Sequence, residues 1–401
     1  MKHVLFSRRL FFGVAAAAVA MSFLIHTHEQ DHKAEVVRTE AARFASLKAE
    51  AEQLVADFPS GPDAQALGRV RMAYERARAA WPAPVLLPDA KVAEFAPLDI
   101  RPKPSGIAIA KVELGRMLFE DPRLSASGQI ACQNCHNQEL GWGDGLRSSF
   151  GHNRKRGKRN APPLFSAAYR PALFWDGRVT KLEEQALGPM TNPIEMAVHD
   201  FSAVTARLGK DDIYRERFRS IYGSDQIDIA WVADALAAFE TTLERPTRFD
   251  RFLKGDTAAL TDEQVWGMHL FRTKAGCMNC HSGPLLTDER YHNLGLSLLG
   301  RPLGDPGRQA VTGLEDDVGR FRTASLRHVS KTGPYMHNGL IPDLRRVVIF
   351  YEIGGGKTRP LNDEQATDDL MRAAAKTSPL VKKFNFTPAE RQALIEFLKA
   401  L

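Results

Sequence analysis

Cysteine is scarce in this chain, with four among 401 residues. All four lie in two short motifs, so no disulfide framework runs through the sequence. Long apolar runs are missing too. The one such run, Leu10 to Ile25, is 16 residues, short of the roughly 20 a spanning helix needs. A multispanning membrane protein is excluded. Charge of one sign is not in excess: the net charge is +6 and spread along the chain, which gives no argument for nucleic acid. Compositional bias is also absent. Hydrophobic residues make 44% and charged residues 25%, which excludes a disordered or collagen-like chain and suits a soluble globular protein. The length allows two or three domains of roughly 100–200 residues, with ample core.

What is present begins at the N-terminus. Lys2, Arg8 and Arg9 precede the apolar run, and Ala18-Val19-Ala20 offers a small-x-small cleavage site. This is the pattern of a secretory leader over 1–27, or of a membrane anchor if it is not cleaved. Either way the rest is expected outside the cytoplasm, in a bacterial periplasm.

The cysteines stand as CQNCH at 132–136 and CMNCH at 277–281. Cys-x-x-Cys-His is the attachment pattern of c-type haem. Cys132 and Cys135 in the first copy, and Cys277 and Cys280 in the second, would form thioethers to the porphyrin vinyl groups. The next residue, His136 or His281, would supply a nitrogen to iron. A Cys₄ zinc site would have to join pairs about 145 residues apart, far beyond common ribbon spacings. A redox dithiol needs neither the histidine nor a second copy. The reading is two covalently bound c-type haems. An internal repeat agrees: ELGRMLF (113–119) and VWGMHLF (265–271) each precede a motif and share Gly-x-x-Leu-Phe. It reads as a helix whose Leu and Phe pack near the haem.

The pattern predicts a mainly α fold: two cytochrome c-like haem domains with long loops, plus an N-terminal helical extension. Residues 28–106 hold that extension, with helices over 31–57 and 63–80, and a proline-rich linker over 82–106. The first haem domain covers 107–255, with helices near 181–187 and 226–243. The second covers 256–401. Its helices start at the Thr261–Gln264 capping box and after Thr387-Pro388. Residues 300–320 read as loop.

Several longer motifs carry a resemblance: RNAPP (159–163), FWDGR (174–178), LEEQALGP (182–189), IEM (194–196), TGPYMHNG (332–339) and LRRVVIFYEIGGG (344–356). Over about 107–401 the sequence resembles the bacterial di-haem cytochrome c peroxidase family, which includes MauG. The resemblance implies that the first domain is peroxidatic and the second transfers electrons. It makes Glu195 the acid/base that moves a proton between the oxygens of hydrogen peroxide. Gln185 would orient peroxide or water, and Pro189 would keep that side dry. Trp175 would relay electrons between the haems. His152, in FGHNRKRGKRN, would ligate the first iron at rest and leave when the second haem is reduced. Asn160, Thr332 and Pro334 would hold a calcium ion through hard oxygens. Tyr351 stands where many members carry methionine, and MauG has tyrosine there. It would ligate the second iron, with Met336 or His337 as alternatives.

The resulting reading is an exported peroxidase that takes electrons from a small donor, a monohaem cytochrome c or a copper protein. Two alternatives stand beside it: a MauG-like enzyme that uses peroxide to oxidise residues of a partner protein, and a non-catalytic di-haem electron carrier. A colourless zinc-binding structural protein is a further rival. Homodimerisation and a membrane anchor are left open.

Overall fold

The computed structural model describes residue 30, residues 33–56 and residues 62–401. The leader or anchor expected over 1–27 lies outside the described residues. Among those described, no helix is long and apolar enough to cross a membrane.

The helices are α1 (33–56), α2 (Ala64–Tyr74), α3 (Ile107–Glu120), α4 (Leu182–Thr191), α5 (Phe201–Leu208), α6 (Asp212–Tyr222) and α7 (Ile229–Glu240). They continue with α8 (Arg248–Leu253), α9 (Asp262–Arg272), α10 (Gln309–Thr312), α11 (Leu344–Glu352), α12 (Asp363–Thr367), α13 (Asp369–Ala374) and α14 (Pro388–Leu398). The strands β1 (Tyr291–Asn293) and β2 (Arg320–Arg322) pair antiparallel, Tyr291 opposite Arg322. The fold is therefore mainly α. The stretch 300–320, expected as loop, contains the short α10.

The chain forms two compact units. One holds α1 and α2. In it Arg76 reaches back to Glu50 at 2.9 Å and to the Leu47 carbonyl at 3.2 Å, and Tyr74 meets Trp81 edge-on. The other unit contains residues 84–401.

In that larger unit the repeat becomes geometry. α3 packs on α7, and α9 packs on α14. The repeated glycine marks each crossing. A Cβ on Gly115 would lie 1.9 Å from the Ala235 carbonyl oxygen, and one on Gly267 would lie 2.0 Å from that of Ala393. The repeated phenylalanine then meets an aromatic on the facing helix: Phe119 with Phe239 at 5.2 Å, Phe271 with Phe397 at 5.5 Å. Only a residue without Cβ lets the backbones approach this closely. Both capping boxes form: Thr261 with Gln264 starts α9, and Thr387 with Glu390 starts α14.

Residues 84–98, which turn at Pro88-Asp89, bond to both halves. Val85 N–H donates to the Arg272 carbonyl at 3.0 Å, Leu87 N–H to Asn279 Oδ1 at 2.7 Å, and Leu98 N–H to Asp250 Oδ1 at 3.1 Å. Phe95 is buried between Phe249 and Phe271. Asp250 also belongs to a buried polar knot. Arg327 bridges Glu244 at 3.0 Å and Asp250 at 2.7 Å, and His328 Nε2 lies 2.8 Å from Glu244. This knot ties the 84–98 strap, the end of the first half and the second half together. A buried ion pair like this resists loss of one partner more than it adds net stability.

Gly115→Ala and Gly267→Ala are expected to destabilise the fold by roughly 1–3 kcal/mol each through forced helix separation. Gly68→Ala in α2, where nothing lies within 4 Å of the added carbon, is expected to be neutral or slightly stabilising. Thermal midpoints of the three variants check this; equal midpoints for Gly115→Ala and wild type would contradict it.

Candidate functional site

Two large hollows lie in the 84–401 unit. The first, about 1140 Å³, is lined by Cys132, Cys135 and His136. The second, about 1330 Å³, is lined by Cys277, Cys280 and His281. In each half the cysteines and histidine are placed by one tight turn, Cys132–Asn134 or Cys277–Asn279. The histidine N–H closes that turn onto the first cysteine's carbonyl, at 3.0 Å and 2.9 Å.

The imidazoles test whether a haem fits. His136 Nδ1 lies 3.0 Å from the Trp142 carbonyl, and His281 Nδ1 lies 3.1 Å from the Leu286 carbonyl. A carbonyl can only accept, so Nδ1 carries the proton and Nε2 keeps its lone pair for a metal. Both acceptor residues hold left-handed backbone, Trp142 at φ 61° and Leu286 at φ 53°. Non-glycine residues adopt this conformation at a cost, and such strain gathers at functional sites. Burial lowers the pKa of both histidines, with the carbonyl bonds opposing it. Neutral ligands result.

Burial also pushes the thiols of Cys132, Cys277 and Cys280 up to about 12. Such thiols are poor thiolates for redox exchange. The two cysteine pairs line separate hollows. Among the described residues, the group with metal-ligand spacing is Cys280, Asp288 and His292, which does not join the pairs. Nothing here builds a Cys₄ zinc centre. The chemistry of the donors, one free imidazole nitrogen beside two thiols in a large apolar hollow, fits a covalently held haem in each half.

The first hollow also collects Gln185, Pro189 and Glu195. α4 presents Gln185 and Pro189. Glu195 follows in the turn after α4, where its N–H bonds the Asn192 carbonyl at 3.0 Å. Asn192 Nδ2 donates to Glu195 Oε1 at 2.7 Å. Burial raises the Glu195 pKa, while the Arg178 charge and the Asn192 bond pull it back. The loop 150–152 clamps this turn from outside. A Cβ on Gly151 would meet the Ile194 carbonyl oxygen at 2.1 Å, and His152 N–H donates to the Glu195 carbonyl at 2.8 Å.

The His152 side chain is not part of the lining of either hollow. Its Nδ1 is buried without a hydrogen-bond partner. Asn153 and Arg154, both at positive φ, form the turn that carries it.

Trp175 and Asn160 line both hollows. The indole N–H donates to the Asn160 carbonyl at 2.9 Å, which fixes the ring where the two spaces meet. Asp176, next in FWDGR, is bound by Arg159 at 2.6 Å and Arg178 at 3.0 Å. Arg159 continues to Asp305 of the second half at 2.7 Å.

Tyr351 lines the second hollow from α11, together with Met336, His337, Thr332 and Pro334. Burial and the nearby Cys280 and Cys277 push its phenol upward in pKa. His337 stacks on Phe321 at 3.4 Å, and burial drives its pKa down to about 3. Asn160 donates Nδ2 to the Leu146 carbonyl at 2.9 Å, so its oxygen is the atom on offer to a cation.

Of the repeat residues, Phe119 lines the first hollow, whereas Phe271 packs against Phe95 and Phe397 and is not in the lining of the second. Sequence reasoning assigned no role to Arg178, Asn192, Arg159 or Glu240 (a buried carboxyl in the first hollow). Arg178 and Arg159 stood inside quoted motifs, so a signal existed. The carbonyls of Trp142 and Leu286 carry none, because every residue has one.

Residues 109–258 match the family model described as di-haem cytochrome c peroxidase. The chain is 41% identical to a cytochrome c551 peroxidase of Nitrosomonas europaea over 59% of this chain and 71% of that protein. This chain belongs to the di-haem cytochrome c peroxidase and MauG family. It is 38% identical to the methylamine utilization protein MauG of Methylorubrum extorquens, over 75% of this chain and 80% of that one. A solved structure of a MauG-like protein associated with microbial copper homeostasis shares 32% identity at a TM-score of 0.66, covering 79% of this chain and 94% of that one. Membership makes the chain an oxidoreductase, and a di-haem family implies two c-type haems.

Arg178→Gln removes the cation that holds the Glu195 pKa down, so Glu195 is expected to titrate at higher pH in the variant. Infrared titration of its carboxylate band checks this. An unmoved titration would refute the coupling.

Proposed function

We propose that the protein is an exported di-haem peroxidase that reduces hydrogen peroxide to water with electrons from a small redox protein. One observation carries the reading. Both hollows share Trp175, yet only the first is lined by Gln185, Pro189 and Glu195. The second is lined instead by Met336, His337 and Tyr351, side chains that could each hold a metal. Reaction is thus assigned to the first half and electron entry to the second.

The haem, when bound, supplies the iron at which peroxide is reduced. The chain's residues do the rest. His136 offers Nε2 as one ligand, its orientation held by the Trp142 carbonyl. Glu195 takes the proton from the near peroxide oxygen and delivers it to the far one, so that water leaves. It must start as a carboxylate, and Arg178 together with Asn192 favours that form against burial. Gln185 orients the peroxide, and Pro189 excludes water. Trp175 relays electrons across the shared wall, its position kept by Asn160. His281 and Tyr351 would hold the second iron. His152 would need a rearrangement of its loop to hold the first, since it is not in the lining. Asn160, Thr332 and Pro334 would hold a calcium ion. The leader-like N-terminus places the protein in a periplasm, free or anchored.

Tyr351 favours a second reading, in which peroxide oxidises residues of a partner protein as in a MauG-like enzyme. An anionic phenolate in place of a thioether stabilises oxidised iron.

Glu195→Gln is expected to lower peroxide turnover by about 10²–10⁴-fold with both haems retained. Tyr351→Met is expected to raise the potential of the second haem. Steady-state assays with a reduced monohaem cytochrome separate the readings: brisk wild-type turnover supports the peroxidase, and its absence supports oxidation of a partner protein. Full activity in Glu195→Gln would remove Glu195 from the mechanism. Chelation of calcium is expected to lower the thermal midpoint, with recovery on re-addition; an unchanged midpoint would dismiss the calcium site.

A further inference from the structure

The first hollow contains a second carboxyl. Glu240, the last residue of α7, lines it with only 6% of its surface exposed. Its Oε2 is buried and has no hydrogen-bond partner. An uncharged carboxylic acid tolerates such a place; a carboxylate does not. Burial first, and the like charge of Glu183 second, push its carboxyl up to about 8, so it carries a proton at neutral pH.

The internal repeat has no acid at the matching place of the second half. α7 and α14 occupy equivalent places: Ala235 and Ala393 oppose the crossing glycines, and Phe239 and Phe397 follow on the same face. The next residue is Glu240 in the first half and Leu398 in the second. The second half is built with an apolar residue at this position, buried to a similar degree. The acid is confined to the half that also presents Glu195 and Gln185.

α4 packs on α7 and brings an exposed acid within electrostatic range of Glu240. Glu183, in the first turn of α4, is exposed and acts on Glu240 electrostatically. Cys132 also feels Glu240, and it carries no charge once it is a thioether.

We propose that Glu240 is the residue through which protons enter the first cavity, resupplied from solvent by Glu183. The proposal rests on the peroxidase reading. Reducing one hydrogen peroxide to two waters breaks the O–O bond, forms two O–H bonds, and consumes two protons and two electrons. The donor protein supplies the electrons. Glu195 shifts a proton already on peroxide from one oxygen to the other and adds none. The two protons must come from outside, and Glu240 is a buried acid lining the cavity whose Oε2 has no hydrogen-bond partner.

The test uses the two-haem holoprotein and compares wild type with Glu240→Gln, Glu240→Leu and Glu183→Gln. Infrared spectra at neutral pH are expected to show a protonated carboxyl band that Glu240→Gln removes. The kcat for peroxide is expected to fall about tenfold or more in both Glu240 variants, with KM for peroxide unchanged. Glu183→Gln is expected to give a smaller fall, with a larger solvent isotope effect than wild type. Glu183 is on the surface, so its variant folds and answers even if the Glu240 variants do not. Normal wild-type turnover with indifferent Glu240 variants, or with an indifferent Glu183→Gln, overturns the relay alone. A carboxyl band that survives Glu240→Gln also overturns it. Wild type that consumes no peroxide overturns the peroxidase reading, and the relay with it.

Discussion

The hydrogen bond from the Trp175 indole to the Asn160 carbonyl is the contact on which the arrangement of the two sites depends. It holds one flat ring as the partition between two hollows that the chain builds separately. Around it the salt bridges run across the halves, Arg159 joining Asp176 of FWDGR to Asp305. A partition held in this way stays in register with both spaces. An indole lying free between them would not, because packing alone does not select one orientation.

Each half then repeats one construction. A glycine brings two helix backbones into contact, an aromatic pair closes the crossing, and a tight turn presents two cysteines and a histidine to an apolar hollow. The histidine is oriented by a carbonyl from a residue in left-handed backbone. The halves differ in what else they present. Gln185, Pro189 and Glu195 line the first, and Met336, His337 and Tyr351 line the second. The shared frame provides two cavities, and a few substitutions on it give them different linings.

The Cys-x-x-Cys-His turns, the capping boxes at Thr261 and Thr387 and the helical class were legible because each rests on residues close in sequence. The proline-rich stretch after residue 82 reads as a linker. Yet its backbone is bonded to Arg272, Asn279 and Asp250, far along the chain, and the backbone N–H groups that make these contacts are common to all residues but proline. Glu240 sits in an apolar helix and reads as its polar end; burial by the neighbouring α4 makes it a cavity residue. Phe271 carries the same motif as Phe119 but faces Phe95 and Phe397, since the strap fills its side of the second half.

Residue type and short spacing were enough to locate the two Cys-x-x-Cys-His motifs and the longer motifs of the family. The folded chain was needed to show which side chains share a hollow, that one tryptophan belongs to both, and that His152 stands outside the lining of the first. Those facts depend on contacts between segments far apart in the chain, and on backbone carbonyls whose positions no residue type records.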